Sequence, residues 1–349
     1  MKIAPWVGAI VALGLTVSNA AAGGLHPFQL QRLNGRLHGQ VVDHTNNHCR
    51  DRRVWSDALG QSRDLYVYLP PGYDPAKRYP VAFWLHAFRQ DEQDFLQKIV
   101  TAFDDAMACG QLPPFIVACP DGTIKGESIF FQTGSFFVNS KAGCFEDYII
   151  RDVWSFLLAH YPIRPEREAH VLMGGSMGGF GAYNLAIKHR DTFKLVVGMF
   201  PPLNLRWVDC HERYRSNFDP CCWGWRDQLR PHEVIARFSG IPIRMWQVVK
   251  PIYGVGPDAI PKMSAENPIE MLATYDVKPG ELDMYIAYAG KDEFNIDAQV
   301  ESFLEVAHQR GLKVGVGYDP HGRHNIRTGL KLFPGIAEWL CERLKPYAP

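Results

Sequence analysis

Apolar residues recur along this chain with two spacings, and the two alternate. Leu65–Leu69 (LYVYL), Val81–Leu85 (VAFWL) and Phe115–Cys119 (FIVAC) are unbroken apolar runs, as expected of strands buried on both faces. Pro70-Pro71-Gly72-Tyr73-Asp74 closes the first run and Pro120-Asp121-Gly122 the third. Further strands are predicted at His170–Met173, Leu195–Met199, Met284–Ala289 and Lys313–Tyr318. Between them the apolar positions step by about 3.6 residues, the period of a helix with one buried face. Helices are predicted over Phe95–Ala108, Glu146–His160, Phe180–Lys188, Asp297–Gln309 and Gly329–Leu344, the last despite Pro334. In the fourth, Val300, Phe303, Leu304 and Ala307 share a face, and Gly311 supplies the stop. Strand–helix alternation from about residue 64 onward predicts an α/β fold, a mostly parallel central sheet with helices on both faces.

Residues 201–280 break this rhythm. The stretch holds many prolines, Cys-Cys-Trp-Gly-Trp at 221–225, and only short helix-like pieces such as Gln228–Phe238. It reads as an insertion over the C-terminal edge of the sheet, a cap, rather than a disulfide-tied peripheral excursion. The N-terminus differs again. Lys2 precedes an apolar run from Ile3 to Val17, followed by the small-x-small patterns Ser18-Asn19-Ala20 and Ala20-Ala21-Ala22. This reads as a secretory signal peptide over residues 1–22, leaving residues 23–349 as one domain in a secreted or periplasmic protein. The run is short for a membrane anchor, and no later segment looks membrane-spanning.

Composition narrows the picture a little further. Lys plus Arg equals Asp plus Glu, at 37 each, so no basic footprint for nucleic acid or an anionic membrane is present. The eight cysteines (Cys49, Cys109, Cys119, Cys144, Cys210, Cys221, Cys222 and Cys341) permit disulfides in an exported chain, but their pairing is not readable. No C-x-x-C occurs, and His44 and His48 sit in the polar, turn-rich stretch DHTNNHCR, so no metal site is expected.

The chemistry centres on Gly174-Gly175-Ser176-Met177-Gly178, the one G-x-S-x-G in the chain. A buried strand precedes it and a helix follows, the context of a nucleophile elbow. Side chains at Gly174 and Gly178 would collide with the neighbouring strand and helix. A serine hydroxyl is a weak nucleophile and needs a base, and the base needs an orienting acid. In such a sheet, functional groups gather at the C-terminal strand ends. Gly290-Lys291-Asp292-Glu293 follows one predicted strand, and Asp319-Pro320-His321-Gly322-Arg323-His324 follows the next. Asp292 is the first choice of acid, with Glu293 and Asp297 as alternatives. His324 is the first choice of base, with His321 as the alternative. The oxyanion donors are expected to be the backbone of Met177 and, from His86-Ala87-Phe88-Arg89, the amide of Phe88 ahead of Arg89. His86 itself reads as a structural loop histidine.

Taken together, RDLYVYLPPGYDPAKRYPVAFWLHAF, FEDYIIRDV, GGSMGGFGAYNLA, AGKDEFN and the GRH turn resemble the putative-esterase family of α/β-hydrolases. That family includes S-formylglutathione hydrolases (esterase D), feruloyl and acetylxylan esterases, enterochelin esterases and mycolyltransferases. The resemblance runs from about residue 60 to 345 and is weak over 201–280. It implies an α/β-hydrolase fold, with the nucleophile on Ser176, the acid on Asp292 and the base on His324. Two positions depart from the pattern: His86-Ala87 stands where the family usually has His-Gly, and Glu293 keeps a mycolyltransferase-type Glu acid in play.

The function expected is an exported serine esterase that works through an acyl-serine and needs no metal or cofactor. Its substrate would be a small-molecule or carbohydrate-linked ester, such as a polysaccharide-bound acetyl or feruloyl group. An acyltransferase, favoured if Trp207, Trp223, Trp225 and Trp246 make a dry cap, and a non-catalytic binding protein are the alternatives. Phe130, Phe131, Phe136 and Phe137 read as core residues ahead of pocket residues.

Overall fold

The computed structural model describes residues 25–47, 49–126, 134–238 and 240–349. The leader at residues 1–22, His48, Phe130 and Phe131 lie outside them. Eight strands form the central sheet: β1 (Gln40–His44), β2 (Leu65–Leu69), β3 (Val81–Leu85), β4 (Ile116–Pro120), β5 (His170–Gly175), β6 (Leu195–Met199), β7 (Asp283–Ala289) and β8 (Val314–Asp319). Their spatial order is β1-β2-β4-β3-β5-β6-β7-β8. β2 runs antiparallel to both neighbours, and every pair from β4 to β8 is parallel. The principal helices are α1 (Val100–Ala108), α2 (Trp154–His160), α3 (Met177–Lys188), α4 (Ile296–Gln309) and α5 (Ile326–Leu344).

β3 shows why unbroken apolar runs are needed here. Successive side chains point to opposite faces. Phe83 packs against Trp154 of α2 and Phe193, while Trp84 packs against Phe103 of α1, whose ring also meets Phe333 of α5. Both faces are dry, so every residue of β3 is buried. This is the layered α/β architecture that the apolar pattern predicts.

The predicted strands from Leu65 onward are all present, and the two expected to carry the acid and the histidine pair directly, Tyr288 beside Tyr318 and Ala289 beside Asp319. Several expectations change. Gln228–Phe238 is not helical: Val234–Phe238 is a strand paired with Ile241–Arg244 around Gly240 at φ 82°. The register shifts between Val234 and Ala236, and that irregularity hides the period of two. The Phe95–Ala108 pattern covers two helices, Gln93–Lys98 and Val100–Ala108, that meet at Ile99. Glu146–His160 is helical but passes through a π turn at Tyr148–Val153. Pro334 is accommodated inside α5. The edge strand β1 has no clear signal in its polar sequence QVVDH.

Residues 201–280 form small hairpins and short helices, with Trp207–Asp209 paired to Trp223–Trp225. A disulfide joins Cys210 to Cys222 across the end of that hairpin, and the other six cysteines are free. Trp207 is fully buried and stacks on Trp223, with Phe218 beside both, so these rings are the core of the excursion itself. His44 is a partner of the Tyr161 hydroxyl at 2.7 Å. Among the described residues no helix is long and apolar enough to cross a membrane.

Candidate active site

The C-terminal ends of β3, β5, β6, β7 and β8 lie side by side because these strands are parallel neighbours. Six residues other than glycine adopt left-handed backbone at or near this edge: Arg89, Ser176, Phe200 and Asn295 after four of the strands, and Phe136 and Phe137 beside them. Such conformations cost free energy and persist where the surroundings enforce them. Ser176, at φ 53° and ψ −116°, sits between the last residue of β5 and the first of α3. Its N–H donates to Met199 O at 2.7 Å, so the sheet ladder with β6 reaches the serine itself. A Cβ at Gly174 would come 2.5 Å from Leu85 O, and one at Gly178 would overlap the same carbonyl. The glycines therefore let the elbow press against the end of β3.

His324 reaches this serine from the loop after β8. Asn325 caps α5, its side chain accepting from Thr328 N at 3.0 Å, which fixes the backbone immediately after the histidine. His324 Nε2 is 2.9 Å from Ser176 Oγ, and Nδ1 is 2.7 Å from Asp292 Oδ2. Asp292 comes from the loop after β7. Its other oxygen accepts the Phe294 amide at 2.8 Å, an Asx turn that holds the carboxylate in place. The two loops are tied to each other, with Gly290 N donating to Asp319 O and Lys291 N to Gly322 O.

The alternatives separate on geometry. Glu293 accepts the His324 backbone N–H at 2.9 Å and pairs with Arg323, so it holds the loop and not the imidazole. His321 is exposed. Asp297 lies in the first turn of α4, where burial and the Asp292 charge push its carboxyl up to about 7. Burial alone would lower the affinity of His324 for a proton. The Asp292 charge and hydrogen bond, with the Glu293 charge, outweigh it and raise the imidazole above its ordinary 6.5.

On the other side of Ser176, the Phe88 ring and the Met177 side chain converge on the same point above Gly134. Neither the Phe88 nor the Met177 amide is hydrogen-bonded to another described residue. His86 is buried, and its Nε2 accepts from Gly122 N at 2.9 Å, so it is a structural loop histidine. Phe136 and Phe137 are core residues: Phe137 packs on His86, and Phe136 bridges Phe88, Phe180 and Tyr253 of the excursion. Two contacts lay beyond the sequence reading. Phe200 and Phe294 flank the His324 ring, with centroids 5.2 and 5.0 Å away. Phe294, two residues past Asp292, carried a signal in retrospect, while Phe200 carried none.

A family model described as putative esterase matches residues 56–321. The chain belongs to the putative esterase family. A curated relative, S-formylglutathione hydrolase of Arabidopsis thaliana, is 22% identical over 44% of this chain, a match that spans 57% of that relative. Among solved structures, a ferulic acid esterase superposes with TM-score 0.61 at 16% identity, over 88% of this chain and 100% of its own. S-formylglutathione hydrolase from Agrobacterium tumefaciens gives TM-score 0.60 at 16% identity, over 88% and 96%. A substrate-bound, fluorophosphonate-binding serine hydrolase of Staphylococcus aureus gives 0.58 at 14%, over 87% and 98%. These structural likenesses extend the family's α/β-hydrolase fold to nearly the whole chain.

Proposed function

We propose that this esterase-family protein is an exported serine carboxylic ester hydrolase whose triad is Ser176, His324 and Asp292. The observation that carries the reading is the hydrogen-bonded line from Ser176 Oγ through the His324 ring to Asp292 Oδ2, at 2.9 and 2.7 Å. In this reading Ser176 Oγ attacks the ester carbonyl carbon while His324 Nε2 takes the hydroxyl proton. The Met177 and Phe88 amides receive the negative charge on the carbonyl oxygen. Collapse breaks the ester C–O bond, and the imidazolium protonates the departing alcohol. Water then attacks the acyl-serine by the same proton path, releasing the acid and restoring the serine. Asp292 holds the imidazole in the tautomer this requires.

Export rests on the apolar leader and small residues of the first 22 positions. A carbohydrate-linked acetyl or aromatic acyl ester is the substrate class in this reading, supported by ferulic acid esterases among the structural neighbours. The half-buried Phe88 ring beside the elbow suits an apolar acyl group, and the contact of Tyr253 with the core residue Phe136 behind it suits residues 201–280 as its cover.

The test compares the wild type with Ser176→Ala on p-nitrophenyl acetate and on a feruloyl ester. Turnover should fall about 10³-fold or more in the variant, with circular dichroism unchanged. Turnover that survives the substitution would refute the reading. In the wild type the acidic limb of kcat/KM should lie above 6.5, because the folded His324 holds its proton more tightly than free imidazole and must lose it to act as base.

A further inference from the structure

We propose that Tyr214 is a positioning residue: its hydroxyl, presented by the disulfide-closed 210–222 loop, braces the segment that carries the triad acid. This inference rests on the triad reading above. The three residues after Asp292, Glu293 to Asn295, are bonded to three consecutive residues of the excursion, Tyr214 to Ser216. Arg215 Nη1 donates to Glu293 O at 3.1 Å, and the Tyr214 hydroxyl donates to Phe294 O at 2.6 Å. Asn295 Nδ2 donates to Tyr214 O at 3.1 Å and to Ser216 O at 3.0 Å. Phe294 is the residue whose amide holds Asp292 Oδ1 and whose ring flanks His324. A pull on its carbonyl is therefore felt at both of the proposed proton-relay groups.

The brace is itself built stiffly. Trp207 Nε1 donates to Tyr214 O at 2.9 Å, and Asp209 gathers the amides of His211 and Arg213. Cys210–Cys222 closes the loop around them. Gln299 of α4 donates to the Tyr214 hydroxyl at 3.1 Å, so the phenol's own proton is directed to Phe294 O. Burial raises the phenol far above its ordinary value against the pull of the Arg226 charge, and the Asp292 and Glu233 charges add to the rise. It therefore stays a donor throughout the working pH range. The ionisable groups around the braced segment are Asp292, Glu293 and His324 in the site, Asp297 on α4, and Arg215, Arg226 and Glu233 of the excursion, and none of them is hydrogen-bonded to the phenol.

The experiment is the pH profile of p-nitrophenyl acetate hydrolysis by full-length wild type, Tyr214→Phe and Arg215→Met. Tyr214→Phe keeps the ring and removes the donor. Its kcat should fall about three- to tenfold with KM little changed. Its acidic limb should move down by about half a unit, because a looser Asp292 supports the imidazolium less. Arg215 is exposed, so Arg215→Met folds and should show a smaller change in the same direction. A role limited to stability would lower the active fraction without moving the limb. Folded variants with wild-type kcat and an unmoved limb would overturn the brace while leaving the triad intact. If Tyr214→Phe fails to fold, Arg215→Met decides alone. Loss of turnover in the wild type itself would sink the triad reading, and the brace with it.

Discussion

The parallel half of the sheet and the excursion at residues 201–280 are organised by different forces. β3, β5 and β6 are almost wholly buried, and their ladders run on until Ser176 donates to Met199 O. Position along each strand fixes which face a side chain takes, so packing and register specify one another. The excursion has short ladders and relies on particular pairs. Arg226 meets Glu233 at 2.5 Å, Arg206 meets Glu270 at 2.7 Å, and Lys188 of α3 reaches Glu266 at 2.7 Å. The lesson is a division of labour. The sheet supplies the fixed edge on which Ser176 and His324 meet, and the excursion adds specific polar ties to the loop that holds the buried Asp292 carboxylate.

The largest effect expected comes from splitting the two adjacent acids on that loop. Asp292→Asn should cut kcat by about 10³- to 10⁴-fold, as expected when the base loses its orienting anion. Glu293→Gln should cost less than about tenfold, because Glu293 holds the His324 backbone rather than its ring. Equal losses in steady-state kinetics would erase the distinction between them.

Next, each region can be broken separately. Gly178→Ala drives a methyl into the Leu85 carbonyl and should cost at least about 3 kcal/mol in urea unfolding, with activity lost together with the elbow. Glu233→Gln strands a guanidinium whose side chain is 3% exposed and should cost about 3 kcal/mol. Hydrogen exchange should then rise in residues 201–280 and leave β3 and β5 protected. Exchange that rose equally in both would show one cooperative unit instead of two.

The smallest expected effect sharpens the comparison at its seam, where α4 begins. Asp297 binds its proton more tightly in the folded protein, at about 7 against an ordinary 3.8. Its contribution to stability is therefore full below pH 3.8 and is lost as pH rises through 7. Asp297→Asn should stabilise the protein by about 1 kcal/mol at pH 8, a figure reduced for the partial exposure of this carboxyl, and by nothing near pH 4. Thermal unfolding at the two pH values reads the difference.

Legibility in the sequence follows the same division. Strands buried on both faces leave unbroken apolar runs, and an elbow pressed against β3 demands glycines, so both could be read from spacing alone. Asp292 and His324 could be placed because parallel neighbours end at one edge. Asp292 could be ranked ahead of Glu293, but the hold of Glu293 on the His324 backbone depends on side-chain direction, which adjacent residues in a loop do not reveal. Tyr214 lies about eighty residues from the segment it touches, in a loop with no period, and only the bracketing Cys210 and Cys222 mark the spot. The bulge between Val234 and Ala236 and the polar edge strand β1 were misread or missed because neither shows the period of two.

A serine nucleophile at position 176 requires an acyl-enzyme on that residue. The direct measurement is acid-quenched p-nitrophenyl acetate turnover followed by mass spectrometry of the digested protein. An acetyl group is expected on the peptide that contains Ser176, formed in a burst with p-nitrophenol release and absent from Ser176→Ala. Turnover with no acyl group there, or with the acyl group on another residue, would contradict it.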